Sequence, residues 1–237
     1  MSEDLYTITQ RLRNGFKVPE NSDQSIAEFL ASTEAGRKLL ASFTQKEHGD
    51  LRYNWSFWAR PKQIPPPGNW RYWCIIAGRG AGKTRSSAEW IRHMAETMPG
   101  SRLAIVGRTA ADVRDVMIEG PSGILSLDLP KKSPKYEPSK RRISWSNGSS
   151  AICFSAEEPD VLRGPQFHYA WCDEICAWHS PATFEMLSFG LRLGDDPRCV
   201  ISTTPKPRKF LKDLLQDKST VLTKGSTYEN RSNLAEA

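Results

Sequence analysis

The chain has 237 residues, with 33 basic and 27 acidic side chains and a formal net charge of +6. This length suits one large domain with or without appendages, and the modest positive excess favours a polyanionic partner. No apolar run could span a membrane, no signal peptide is evident, and five single cysteines without a Cys-x-x-Cys pair indicate neither zinc nor disulfides.

The N-terminal region, residues 1–54, is polar and is predicted to form a helical segment with one apolar face. A proline-rich stretch over residues 61–69, PKQIPPPGN, leads from it into the first predicted strand. Within this stretch Gln63 could hydrogen-bond an adenine edge, although a lone glutamine is more often simply exposed.

A glycine-rich loop follows the apolar run at residues 73–76 and precedes a predicted helix over residues 84–98. Glycines let successive backbone N–H groups face phosphate oxygens, Lys83 can reach the β- and γ-phosphates, and the Thr84 hydroxyl can hold Mg²⁺. Ala77 stands where the strict motif begins with glycine. The strand–loop–helix order predicts a nucleotide site rather than an ordinary turn. The predicted cradle consists of Gly78, Arg79, Gly80, Ala81, Gly82, Lys83 and Thr84.

An insertion with a different pattern follows a predicted strand at residues 103–106 and a helix at residues 110–117. Residues 141–145 and 150–154 are β-type runs that flank Ser-Asn-Gly-Ser. An Asn-Gly pair between such runs is the strongest hairpin signal in the chain. We therefore predict a β-hairpin insertion here.

An acidic pair lies at the end of the aromatic and apolar run at residues 168–172. Such a run is typical of a buried parallel strand. The run ends in Asp173 and Glu174. Beside a phosphate loop, Asp173 is predicted to hold Mg²⁺ and Glu174 to polarise the attacking water as general base. Taken alone, the pair could also be an acidic helix cap without a catalytic role.

Hydroxyl residues end the next β-type run, residues 198–201, with Ser202, Thr203 and Thr204. If this strand adjoins the nucleotide strand, they could sense the γ-phosphate and pass its loss onward. The remaining predicted elements are helices at residues 181–193 and 207–215 and a strand at residues 219–223. Strands and helices thus alternate along the chain, and this alternation predicts an α/β fold with a mainly parallel sheet and helices on both faces.

Basic residues cluster twice, and each cluster could contact nucleic-acid phosphates or be a solvated face. No base-reading motif or stacking platform accompanies them, so recognition of a particular sequence is not indicated. The first cluster comprises Lys131, Lys132, Lys135, Lys140, Arg141 and Arg142, and the second Lys206, Arg208, Lys209 and Lys212.

The ordered set AGRGAGKTRSSAEWIRHMAE, RPKQIPPPGNWRYW, VLRGPQFHYAWCDE and ISTTPKP resembles the ATPase domain of tailed-bacteriophage large terminases, most of all the HK97-like DNA-packaging group. The resemblance covers roughly residues 55–230. It implies a P-loop NTPase of the ASCE type over residues 55–225, using ATP and Mg²⁺. Residues 226–237 then resemble the start of a linker to a C-terminal nuclease, so we expect a fragment of a longer protein.

The resemblance also implies roles for individual residues. Arg79 is similar to the loop arginine of the family, which touches the γ-phosphate, and Gln63 to its adenine-contacting glutamine. Arg163 resembles an arginine finger supplied in trans to a neighbouring subunit, and Arg108 is a competing candidate. The hydroxyl residues Ser202, Thr203 and Thr204 fall on the motif that couples hydrolysis to movement.

Double-stranded DNA, the portal protein, the terminase small subunit and self-association into a ring, a pentamer by resemblance, are the implied partners. The expected location is the host cytoplasm and, transiently, the portal vertex of the procapsid, without a membrane. Two alternatives remain open at this point: a helicase- or recombinase-like DNA-dependent ATPase, and a nucleotide-gated assembly protein without useful turnover.

Overall fold

The computed structural model describes residues 23–127 and 133–225, together with Leu12 and Gly15. The chain divides into two compact units, residues 1–64 and 65–237. The domain boundary at residue 54 and the linker at residues 226–237 stay predictions, and the linker, Lys131 and Lys132 lie outside the described residues. No described helix is both long and apolar enough to cross a membrane.

Over residues 23–64, the first unit forms four short α-helices, as the polar, helix-prone sequence predicts. Ser25 begins the first of them with a capping box, in which its hydroxyl accepts from the backbone of Glu28 and the Glu28 carboxylate accepts in return. A small core forms around Ile26, Leu30 and Phe57. The helices are α1 (Ile26–Ser32), α2 (Glu34–Ser42), α3 (Gln45–Arg52) and α4 (Trp55–Trp58).

The second unit is built on an eight-stranded sheet with the order β3-β4-β5-β2-β6-β7-β1-β8. All neighbouring pairs are parallel except β3 with β4 and β4 with β5, which form the antiparallel insertion. The strands are β1 (Tyr72–Ala77), β2 (Arg102–Gly107), β3 (Lys135–Glu137), β4 (Arg142–Ser144), β5 (Ser150–Ser155), β6 (Tyr169–Asp173), β7 (Arg198–Thr203) and β8 (Thr220–Gly225).

Helices cover both faces of this sheet. Successive strand residues point to opposite faces, so β1 sends Trp73 to one core and Cys74 to the other. One core packs against the helix that follows the glycine-rich loop, and the other packs against two later helices. The helices are α5 (Lys83–Thr97), α6 (Ala110–Asp112), α7 (Ala182–Gly190) and α8 (Lys209–Gln216).

Two predicted helices differ from those observed. The helix predicted over residues 110–117 is α-helical for one turn and then becomes a π-helix, Val113–Ile118, packed so closely on β2 that a Cβ at Gly107 would lie 2.7 Å from Val113. The helix predicted to reach residue 193 ends at Gly190, because the Gly190 carbonyl accepts from Phe167 N (2.8 Å) and Leu191 bridges to Phe167.

Strand order confirms the predicted α/β class and places the three functional strands side by side. β7, which carries the hydroxyl residues, lies between β1 and β6. Because these strands are parallel, the glycine-rich loop, the acidic pair and the hydroxyl residues all meet at the carboxyl edge of the sheet.

Candidate active site

The glycine-rich loop turns from β1, which ends at Ala77, into α5, which begins at Lys83. Gly80 and Gly82 have φ angles of 74° and 83°, in the left-handed region that favours glycine. Ala77 is the last residue of a regular strand and lies outside the residues with positive φ. Alanine in place of the first glycine of the strict motif therefore adds one methyl group at a regular strand position and does not strain the backbone of the loop.

The Lys83 side chain is folded back into the loop. Its Nζ donates to the carbonyl oxygens of Ala77 and Gly78, both at 3.0 Å, and to Thr204 Oγ1 at 3.4 Å. The side chain is only 8% exposed. A lysine held at this depth in the cradle is positioned for phosphate oxygens that approach along the α5 N-terminus.

Asp173 ends β6 and lies opposite Ser202 in the parallel register with β7. The Ser202 hydroxyl donates to Asp173 Oδ1, and the Trp178 indole holds the Asp173 carbonyl at 2.9 Å. Burial raises the pKa of Asp173 to about 6; the Ser202 hydrogen bond opposes this, the charge of Glu174 adds to it and Lys83 lowers it. Loss of solvation is thus the main cause of the raised pKa of Asp173.

Glu174 has a left-handed backbone, with φ 49° and ψ 45°, which is uncommon for a residue with a side chain. Its carboxylate accepts two hydrogen bonds from Thr204, one from the backbone N–H and one from the hydroxyl, each 3.1 Å long. Lys83 Nζ lies 3.6 Å from Glu174 Oε1. The structure thus brings the predicted base, the loop lysine and one hydroxyl residue into a single cluster.

The three hydroxyl residues make different contacts. Ser202 is fully buried and joins Asp173 to the Trp171 indole, which donates to Ser202 Oγ at 3.3 Å. Thr203 Oγ1 accepts from Cys176 N at 3.2 Å, in the turn after Glu174. Thr204, directly after β7, contacts Glu174, so Ser202 and Thr204 bond the two members of the acidic pair and Thr203 bonds the turn that follows them.

The arginines predicted to act on the γ-phosphate are on the surface. Arg79 is exposed in the loop. Arg163 is 70% exposed and its Nε lies 3.1 Å from Asp160 Oδ1, in a turn completed by Gly164 at φ 105°. Arg108 Nε donates to Asp112 at 2.9 Å; this bond raises the pKa of Arg108, and Glu174 adds to the rise by its charge. Their catalytic roles stay predictions.

Gln63 belongs to the first unit, where its Oε1 accepts from Arg60 N at 3.0 Å. Its contact with adenine stays a prediction. Two structural supports of the site carry no signal in the sequence: the Trp178 indole on the Asp173 carbonyl, and the Ser202 hydroxyl on the Asp173 side chain. Both depend on how loops and strand registers meet in space.

Residues 74–235, more than half of the chain, match the family described as terminase large subunit, T4likevirus-type, N-terminal. The chain belongs to the terminase large subunit family. As its ATPase part, this terminase chain serves viral DNA packaging. Binding of the nucleotide by the loop at residues 78–84 stays a prediction. No protein with a curated description matches the sequence.

Solved structures share the fold. The large terminase ATPase domain of Thermus phage P74-26 has a TM-score of 0.57 at 16% identity, covering 70% of this chain and 80% of that one. The large terminase of a second thermophilic bacteriophage, in complex with ADP, has a TM-score of 0.57 at 18% identity, covering 82% and 48%. For the HK97 bacteriophage large terminase the TM-score is 0.50 at 16% identity, covering 63% and 34%. The present chain therefore spans about half or less of the longer terminases.

Proposed function

We propose that this terminase chain hydrolyses ATP as its magnesium complex, with Glu174 as general base, and that hydrolysis drives double-stranded DNA into a procapsid. The observation that supports this most is the cluster of Lys83, Glu174 and Thr204 at the carboxyl edge of the sheet. It joins a phosphate-binding cation, a carboxylate able to orient water and a strand that leads away from the site.

Thr84 and Asp173 fit a magnesium ion by the chemistry of their donors. Mg²⁺ prefers hard oxygen ligands and keeps several waters, and a hydroxyl with one buried carboxylate supplies such ligands. Within residues 23–127 and 133–225, no three His, Cys, Asp or Glu side chains form a group that could hold a metal ion by themselves, so phosphate and water would have to complete the coordination. When bound, the ion would neutralise charge on the triphosphate.

The Lys83–Glu174 contact suggests how the site responds when nucleotide enters. Lys83 Nζ contacts two loop carbonyls and Glu174, and a γ-phosphate would compete with Glu174 for it. Glu174 would then be held by Thr204 alone. Because Thr204 contacts both residues, the β7 end would respond to the presence and loss of the γ-phosphate, which is the coupling role of Ser202, Thr203 and Thr204 in this proposal.

The partners of this proposal are double-stranded DNA, the portal protein, the terminase small subunit and further copies of the chain in a ring, which we take as a pentamer. The chain would act in the host cytoplasm and, during packaging, at the portal vertex. The direct test is steady-state ATP hydrolysis with and without duplex DNA. Hydrolysis that needs Mg²⁺ and rises with DNA supports a motor; ATP binding without turnover contradicts one.

Replacing Asp173 by asparagine should separate its cost to stability from its use in catalysis. A carboxyl whose pKa rises from the ordinary 3.8 to about 6 on folding destabilises the nucleotide-free fold as pH rises through that interval. Asp173→Asn lacks that charge and does not lose this stability. The difference in free energy of unfolding between the variant and the parent chain should therefore shift by about 1 kcal/mol in favour of the variant from pH 5 to pH 8. Urea unfolding at both pH values measures this.

In the same variant, Mg²⁺-dependent ATP hydrolysis should be lost, since an amide is a poor ligand for the ion. Asp213→Asn, at an exposed position of α8, is the matched control and should change neither quantity. Full hydrolysis by Asp173→Asn would remove the magnesium role from Asp173.

Arg163 is proposed to complete the site of a neighbouring subunit. Its exposure on a turn leaves the guanidinium free to reach outward once the bond to Asp160 opens. Arg163→Ala should leave ATP affinity nearly unchanged, because Lys83 and Thr84 of the same chain bind the nucleotide. In assembled subunits turnover should fall by roughly 10³-fold, the lower end of the range for arginine fingers.

Mixing variants tests the trans assignment. Arg163→Ala and Glu174→Gln subunits are each inactive, yet together they form interfaces that pair an intact base with an intact arginine. Recovery of ATPase activity, at concentrations where light scattering shows association, supports the assignment. Recovery with Arg108→Ala and Glu174→Gln subunits instead would move the role to Arg108, and no recovery in either associated mixture contradicts a trans arginine.

A further inference from the structure

The segment that follows Thr204 carries unneutralised positive charge. Lys206, Arg208, Lys209 and Lys212 lie within seven residues and are all exposed. In the described part of the chain, none of these four side chains forms an ion pair. We call residues 206–212 the basic segment; it spans the loop after β7 and the first half of α8.

The basic residues around the hairpin differ in this respect. Lys140 Nζ lies 2.6 Å from Glu137 Oε1 and Lys135 Nζ 3.8 Å from its Oε2, while Arg141 pairs with Glu158 at 3.1 Å. Two carboxylates, those of Glu137 and Glu158, thus offset part of the positive charge of this cluster, whereas the basic segment has no ion-paired carboxylate among the described residues. Two clusters that look alike in the sequence therefore offer different fields to a polyanion.

The basic segment also adjoins the active site. A cavity of about 50 Å³ lies between it and the turn after Glu174. Its mainly apolar lining includes Ile175, Trp178 and Phe210, with His179, Ser180 and Arg208 as the polar members. Imidazole, hydroxyl and guanidinium groups can each donate to a phosphate oxygen. A group bound in this cavity would touch both chain segments that leave the catalytic cluster.

The chain between the cavity and Thr204 has little freedom. Pro205 and Pro207 restrict the backbone on either side of Lys206. Because this backbone is stiff, a movement of Arg208 would be transmitted along it to Thr204, four residues earlier in the chain. Since Thr204 holds the Glu174 carboxylate, this path links the basic segment to the general base.

We propose that the basic segment is a contact surface for the phosphate backbone of duplex DNA, and that DNA bound there repositions Glu174 through Thr204. This inference rests on the proposed motor function. It assigns the contact to phosphates, so binding is independent of sequence and weakens steeply with salt. The ion-paired hairpin residues Lys135, Lys140 and Arg141 contribute less to it.

Charge removal on the two clusters gives the first test. The triple variant Lys206→Ala/Lys209→Ala/Lys212→Ala should lower the slope of log affinity against log salt by up to about 3, at roughly 0.9 per lost phosphate contact. The matched control, Lys135→Ala/Lys140→Ala/Arg141→Ala, removes the same formal charge from ion-paired residues and should change the slope less. Fluorescence anisotropy of a labelled duplex from about 50 to 200 mM salt measures both. Equal slopes in both variants, or a larger loss in the control, overturn the proposal.

Catalysis is measured on the same proteins. The Lys206/Lys209/Lys212 variant should keep its hydrolysis rate without DNA and lose its stimulation by DNA, whereas the control keeps both. If the parent chain hydrolyses ATP and the basic-segment variant is still stimulated, the surface is wrong while the motor function stands. If the parent chain hydrolyses no ATP, the motor function itself fails.

Cross-linking locates the contact directly. The five native cysteines are all buried, so an engineered surface cysteine can be labelled selectively. With a photoreactive label, Lys209→Cys should cross-link to duplex DNA and Lys135→Cys should not. No cross-link at Lys209→Cys, under conditions where the chain binds DNA, overturns the assignment. Equal competition by polyglutamate, compared at equal charge, would assign the segment to an acidic protein surface instead.

Discussion

Lys83→Ala should reduce ATP hydrolysis by at least roughly 10²–10³-fold, the effect of removing one preorganised positive or donor group from a transition state. In the described structure Lys83 Nζ lies inside the loop, 3.0 Å from two of its carbonyl oxygens. No backbone N–H can replace the charge that this ammonium brings to the β- and γ-phosphates. Triphosphate affinity should fall as well, because Lys83 contacts the ground state too.

Lys83→Met separates charge from packing, because it keeps the aliphatic stem of this buried side chain. Both variants should lose hydrolysis, while Lys140→Ala, which removes an exposed lysine, should keep it. Hydrolysis is followed by phosphate release and affinity by titration with a fluorescent ATP analogue. Hydrolysis near the parent rate in Lys83→Met would contradict the whole phosphate-loop assignment.

The sequence predicts the elements that are defined by neighbouring residues. The glycine-rich loop and the Asp173–Glu174 pair are each contiguous, and each sits at the end of a strand whose apolar run is unmistakable. Alternation of strands and helices then predicts the parallel sheet. The expectation that the hydroxyl strand adjoins the nucleotide strand is confirmed by the pairing of β7 with β1.

Features set by tertiary contacts are not predictable in this way. Six residues are too few for an apolar pattern to distinguish a π-helix from an α-helix, so the change at Val113 depends on packing against Gly107. The Ser202–Asp173 hydrogen bond depends on the register of β6 with β7. The left-handed backbone of Glu174 depends on the contacts that hold its turn. Arg163 as a trans finger would depend on a second chain, and no single sequence contains that geometry.

Glu174→Gln should leave ATP binding intact and lower hydrolysis by roughly 10²–10⁴-fold, the usual contribution of a general base. The amide keeps the shape of the side chain, and its carbonyl oxygen can still accept from Thr204 N. It cannot take a proton from water. Affinity for ATP should be unchanged or slightly higher, since Lys83 loses a competing carboxylate 3.6 Å away.

Thr204→Val distinguishes the base from the residue that positions it. Valine removes the hydroxyl bonds to Glu174 and Lys83 but keeps the backbone N–H bond to Glu174. We expect a loss of about tenfold in kcat, smaller than that of Glu174→Gln, together with weaker stimulation by DNA. Thr204→Ser, which restores the hydroxyl, should recover both.

A double variant, Glu174→Gln/Thr204→Val, should be no slower than Glu174→Gln alone, because Thr204 acts on the chemistry through that carboxylate. Additive losses in the double variant would show that Thr204 contacts the phosphate independently. A Glu174→Gln variant that keeps most of its rate would instead transfer the role of base to Asp173.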